Sequence, residues 1–134
     1  MNMKRTFGRQ SIHDHVVRLV AQQWAKPLGY YITINPDAER NISAGPANYP
    51  DLVAWRVTGG RNILQWVAEV ETEESVTEAE ARTQWRPFGA LGVPFYLIVP
   101  KGYQRSARVC AARAGATLTS ITEYGFEIRT FRLI

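Results

Sequence analysis

Two apolar runs meet at a glycine pair. Residues 51–57 read DLVAWRV and residues 62–72 read NILQWVAEVET, with Gly59-Gly60 between them. β-branched and aromatic residues dominate both runs, and paired glycines accept the positive φ angles of a tight turn. The stretch is therefore predicted to fold as an antiparallel hairpin.

The returning arm ends in acids. Side chains at i and i+2 of a strand point the same way, so Glu69 and Glu71 share one face, with Trp66, Ala68 and Val70 on the other. Asp51 opens the partner arm. The arms are similar in length, so Asp51 is expected across from the end that carries Glu69 and Glu71. Three carboxylates at one corner repel each other unless something positive lies among them. A hard divalent cation such as Mg²⁺ takes oxygen ligands of this kind. The alternative is a solvent-facing pair of glutamates with Asp51 as a turn residue after Pro50.

The flanking segments supply helices and further strands. Ser11 reads as an N-cap with Asp14 in the first turn, and Ile12, Val16, Leu19, Val20 and Trp24 follow at helical spacing. Pro27 and Gly29 stop that helix, and YYITI, Tyr30 to Ile34, is a short β-rich run. Residues 35–50 hold three prolines and read as a loop. Thr77 and Glu80 form a capping box that opens a helix through about Phe88. Gly89 and Gly92 end it. PFYLIV, Pro94 to Val99, is a continuous apolar run, as in a strand covered on both faces. Residues 103–114 read as a helix ended by Gly115, and the tail as one or two strands. The expected fold is a single α/β domain over residues 1–134, a central mixed sheet flanked by helices in the order α-β-β-β-α-β-α-β. Trp24, Trp66 and Trp85 fall at core positions. Trp55 shares a face with Asp51 and Val53, and reads as core or as a ring that stacks on a base.

Composition narrows the function classes. With 134 residues, 46% of them hydrophobic, the chain suits one domain with a sizeable core. No apolar stretch is long enough to span a membrane, and the N-terminal MNMKRTFGRQ lacks the apolar region of a secretory signal, so a cytoplasmic protein is expected. Cys110 is the only cysteine, which excludes an intrachain disulfide and a multi-cysteine zinc site. The net charge is +4, unevenly spread. Six of the twelve acids lie between Glu69 and Glu80. Residues 81–122 carry none, but do carry Arg82, Arg86, Lys101, Arg105, Arg108 and Arg113. The basic part suits a polyanion; the plainer reading is a set of solubilising charges.

Pro50-Asp51, 17 intervening residues, then Glu69-Val70-Glu71 resembles the core motif of the PD-(D/E)xK nuclease superfamily. The resemblance runs from about Ser11 to Pro100 and includes a helix, a three-stranded meander, a helix and a strand. Within the superfamily the layout is most similar to small Holliday-junction-resolvase-like nucleases. The resemblance implies a restriction-endonuclease-like fold and a metal-dependent endonuclease acting on DNA, branched or otherwise structured. The cofactor would be Mg²⁺ or Mn²⁺, and the assembly a homodimer. A chain this short has no separate specificity domain, so sequence specificity would need a protein partner.

Carried onto this chain, the motif implies metal ligands at Asp51 and Glu69 and at the Val70 carbonyl. Gln84 resembles a supporting glutamine on the helix after the motif. Some members place an acid on the first helix; His13 and Asp14 are the nearest residues here. Glu71 departs from the pattern, because the family has lysine there. A glutamate can serve as general base toward a water or hold a second metal ion, so Glu71 joins Asp51, Glu69 and Gln84 as a catalytic candidate. Arg82, Arg86, Lys101, Arg105 and Arg108 would contact the nucleic-acid backbone. The other outcome is a catalytically inactive nuclease-fold protein that binds nucleic acid or another protein.

Overall fold

The computed structural model describes residues 7–24, 30–34, 49–127 and 130–134. Pro27 and Gly29, expected to end the first helix, lie outside the described residues, as does most of the loop over 35–50. A long helix α1 (Phe7–Trp24) is followed by strands β1 (Tyr30–Ile34), β2 (Leu52–Thr58) and β3 (Arg61–Val70). A helix α2 spans residues 78–89, with an α-helical turn at Glu78–Glu80, a π-helical turn at Ala81–Trp85 and a last α turn at Arg86–Gly89. Then come β4 (Phe95–Pro100), α3 (Gln104–Ala114), β5 (Ser120–Glu127) and β6 (Thr130–Leu133).

The six strands form one sheet in sequence order. β1, β2 and β3 run antiparallel, β3, β4 and β5 run parallel, and β6 turns back antiparallel along β5. The α/β class is as expected. The element order differs: the tail forms a hairpin, so the order is α-β-β-β-α-β-α-β-β. Tyr124 pairs with Leu133 and Phe126 with Phe131, and cross-strand aromatic packing of this kind holds a short edge hairpin together.

Each face of the sheet has its own core. On one, Val16, Val17 and Val20 of α1 pack on Ile34, Leu52, Ala68, Val70 and Ile98. On the other, Ala81, Trp85 and Phe88 of α2 and Ala107, Ala111 and Ala114 of α3 pack on Val53, Val67, Leu97 and Val99. Full burial of a side chain such as Phe88 contributes about 2–3 kcal/mol. The apolar run of β4 is covered on both faces, as its sequence implies.

Two local departures shape the site. The register of β2 against β3 shifts between Ala54 and Trp55, leaving Gln65 as an extra residue. This bulge resets the alternation, so that Leu64 and Val67 both reach the α2–α3 core. The second is the α1 start. The helix begins at Phe7, so Ser11 lies a turn inside it rather than capping it. Its inward stripe is His13, Val16, Val17 and Val20.

Candidate functional site

β2 begins where β3 ends, and β3 ends beside the C-terminal end of β4. Ligand sites of open α/β sheets favour this edge of the parallel strands. The Glu71 N–H continues the ladder, donating to the Ile98 carbonyl at 2.8 Å. Glu69 and Glu71 share the face of Val67, as the period-2 argument required. That face is covered by α2, so both carboxylates are buried rather than solvent-facing.

Helix α2 brings a third carboxylate to them. Thr77 caps it: its hydroxyl accepts the Glu80 N–H at 3.1 Å. Only half of the expected capping box forms, because the Thr77 N–H goes to the Ser75 carbonyl at 3.0 Å. The Glu80 side chain instead joins the acids. One carboxylate oxygen each from Glu69, Glu71 and Glu80 lies within 4.8 Å of the other two. Oxygens on opposite sides of a cation bound at about 2.0–2.6 Å stand roughly 4–5 Å apart, so the spacing fits a hard divalent ion. Glu80 is 1% exposed, while Glu71 and Gln84 are 0% exposed, so bulk water does little to screen these charges.

Asp51 stands next to this trio with other partners. Its carboxylate accepts the Val70 N–H at 2.8 Å and faces His13 Nε2 at 2.9 Å. Its own N–H donates to Glu69 at 3.0 Å. The other nitrogen of His13 faces the Asp14 carboxylate at 3.0 Å. Both ring nitrogens can donate at once only in the imidazolium form. The chain Asp14–His13–Asp51 thus ties α1 to the mouth of the hairpin.

Protonation follows from these neighbours. Burial pushes Glu69 well above the ordinary glutamate value, and the charges of Asp51, Glu71 and Glu80 add to it. Burial, then the charge of Glu80, does the same to Glu71, partly offset by hydrogen bonds from Ser75 and Trp85. Burial also pushes Asp51 upward, but the charge and hydrogen bond of His13, with the hydrogen bonds of Val70 and Glu69, together outweigh it and hold the carboxyl below the ordinary aspartate value. The surroundings thus favour the protonated form of Glu69 and Glu71 and the anionic form of Asp51.

The strand that carries Glu71 is further pinned. Trp85 Nε1 donates to the Glu71 carboxylate at 2.8 Å, and the Tyr124 hydroxyl donates to the Glu71 carbonyl at 3.0 Å. In the π turn the Arg86 N–H reaches back to the Ala81 carbonyl. That extra residue lets Glu80, Ala81, Gln84 and Trp85 all be buried. Gln84 is thus on the inner face of the helix that carries Glu80, not at its surface.

The other sequence-based candidates separate. The Val70 side chain faces α1, and its N–H serves Asp51. Lys101 is exposed just past β4 and does not enter the acid cluster. Arg86, Arg105 and Arg108 are exposed on α2 and α3; Arg82 is exposed too and pairs with Glu78. Trp55 is half-buried and donates to the Thr33 hydroxyl at 3.0 Å, which makes it part of the core edge. Glu80 and Trp85 were not expected in the site. The signal for them was the helical stripe: Glu80, Gln84 and Phe88 recur at i, i+4 and i+8, with Ala81 and Trp85 beside them. No protein-family model, curated protein or solved structure matches this chain.

Proposed function

We propose that the chain is a divalent-cation-dependent phosphodiesterase acting on nucleic acid, a nuclease of the PD-(D/E)xK type in which Glu71 replaces the motif lysine. The observation that carries this reading is the trio Glu69, Glu71 and Glu80, buried together with oxygens within 4.8 Å. Three adjoining carboxylates without a counter-ion are costly, and a hard cation removes the cost. In this reading Glu69, Glu71 and Glu80 hold Mg²⁺ or Mn²⁺, and Asp51 stands beside them, its backbone N–H on Glu69. Such an ion would supply Lewis acidity toward a phosphate oxygen and toward a bound water.

The chain's own residues do the rest. Trp85 and Tyr124 hold Glu71 by its side chain and its carbonyl. Val70 and His13 keep Asp51 anionic and oriented. Glu71 stands where the family has lysine, and as a carboxylate it would hold the ion rather than supply a cation to the phosphate. The exposed arginines of α2 and α3 lie on the same side of the sheet as the trio and supply backbone affinity without base readout.

One observation favours a second reading. Glu71 is sealed from solvent with Trp85 donating to it, an arrangement also suited to a structural carboxyl in an inactive nuclease-fold binding protein. Cleavage of linear duplex, single-strand, flap and four-way-junction DNA with Mg²⁺, Mn²⁺ or EDTA separates the two. Metal-dependent cleavage lost in Glu69→Gln and Glu80→Gln supports the nuclease. No cleavage by folded wild-type protein with either metal overturns it.

A further inference from the structure

Beside the carboxylates, the same edge of the sheet opens into a continuous groove. One cavity of about 380 Å³ is lined by Lys101, Gly125, Phe126, Arg132 and Ile134. A second, of about 310 Å³, shares Lys101, Gly125 and Phe126 with it and runs on past Pro100 and Tyr124 to Ile12 and Glu73. Ile12 adjoins His13, and Glu73 is two residues beyond Glu71. Tyr124, in the groove wall, is the residue whose hydroxyl holds the Glu71 carbonyl. The groove therefore ends beside the loop that follows Glu71, on the α1 side of the sheet, while the carboxylates themselves are buried under α2.

Its chemistry is basic and aromatic. Phe126 is 47% exposed, although it packs edge-on against both Tyr124 and Phe131. A large ring held by neighbours yet open on one side has a face free for stacking. Lys101 is fixed at the mouth by its backbone: its N–H donates to the Tyr124 carbonyl at 2.8 Å. The Glu123 carboxylate accepts the Gly102 N–H at 3.0 Å and the Gln104 N–H at 3.3 Å, which sets the turn into α3. Gly125 leaves the floor open between Lys101 and Ile134: a Cβ there would lie 3.4 Å from the Ile134 side chain.

We propose that this groove binds an unpaired nucleotide of a nucleic-acid strand, its base stacked on Phe126 and its phosphate on Lys101 and Arg132, at the sheet edge where β3 ends. The inference rests on the phosphodiesterase reading and narrows its substrate to strands with unstacked bases. Each cavity is of nucleotide size. A paired duplex base has no free face to offer Phe126. Glu73, at the acid end, repels phosphate and confines the backbone to the Lys101–Arg132 wall.

The test is fluorescence anisotropy in EDTA with a labelled single-stranded 15-mer and its blunt duplex. Proteins would be wild type, Phe126→Ala, Phe126→Trp, Lys101→Ala and Glu71→Gln, each checked for folding by circular dichroism. The single strand is expected to bind more tightly than the duplex. Loss of one stacking contact weakens it roughly 5- to 150-fold in Phe126→Ala, and Phe126→Trp retains affinity. Lys101→Ala lowers the slope of log affinity against log salt by about 0.7. Equal affinity for the two DNAs, or unchanged binding by Phe126→Ala, overturns the proposal. So does a concentration-dependent dimer that Phe126→Ala abolishes, which would give the groove to a second copy of the chain. Cleavage is read separately with Mg²⁺ and Mn²⁺. A Phe126-dependent preference for the single strand without any cleavage sinks the nuclease reading and leaves the groove. Cleavage with no such preference does the reverse.

Discussion

Glu71 concentrates the conflict in this molecule. Its carboxylate is fully buried, beside Glu69 and Glu80, with hydrogen bonds from Ser75 and the Trp85 indole in partial compensation. Glu71→Gln keeps an acceptor for Trp85 and removes one repelling charge. In EDTA at pH 8 this variant is expected to melt a few degrees above wild type, about 1 kcal/mol, and to gain less than wild type when Mg²⁺ is added. Differential scanning fluorimetry with and without metal checks both points. His13 is the opposite case. Removing it leaves the Asp51 carboxylate buried without its imidazole partner. His13→Ala is expected to cost about 3 kcal/mol by urea unfolding, much of it recovered in His13→Ala/Asp51→Asn.

At the scale of elements, helix α2 and the β2–β3 hairpin build the site and helix α3 supports it. The hairpin was legible from Gly59-Gly60 and from period-2 alternation, and so was the shared face of Glu69 and Glu71. The bulge at Gln65 was not, because alternation alone does not reveal where one extra residue enters a strand. The π turn of α2 escaped for a similar reason: its residues also satisfy an α-helical pattern, and only packing against the sheet selects the wider turn. Helix α3 closes on Gly115 at φ 69°, a left-handed cap that was legible from the glycine. Gly115→Ala is expected to cost about 1 kcal/mol in a thermal melt while leaving divalent-cation affinity unchanged, since the cap is remote from the acids.

For the whole molecule, the buried acids make stability depend on pH and, if the proposed site holds a cation, on metal as well. A glutamate held above its ordinary 4.5 binds its proton more tightly in the fold than in the unfolded chain. Its contribution is therefore complete below pH 4.5 and is lost as the pH rises through the raised value. Asp51 runs the other way: its contribution is present above its ordinary 3.8 and is lost as the pH falls through the depressed value. Metal-free protein is expected to lose stability steadily from about pH 5 upward. A saturating divalent cation, which displaces those protons, flattens or reverses the slope. Urea unfolding across pH 5–9 in EDTA and in Mg²⁺ gives the two curves. A metal-free curve that rises with pH over this range would mean that Glu69 and Glu71 are already ionised and compensated.

The sequence by itself determined the elements and the pairing of acids on one strand face, because periodicity and turn residues act over a few neighbouring positions. It also placed Asp51 at the hairpin mouth opposite them. Only the tertiary structure decided what surrounds those acids. Glu80 arrives from a helix whose capping pattern accounts for the same residue locally, and His13 arrives from a helix 38 positions before Asp51. Which carboxylate meets which partner depends on how α1 and α2 pack on opposite faces of the sheet, and those partners then set the direction in which each pKa moves. Such distances between elements are properties of the packed fold and are not written in any local stretch of the chain.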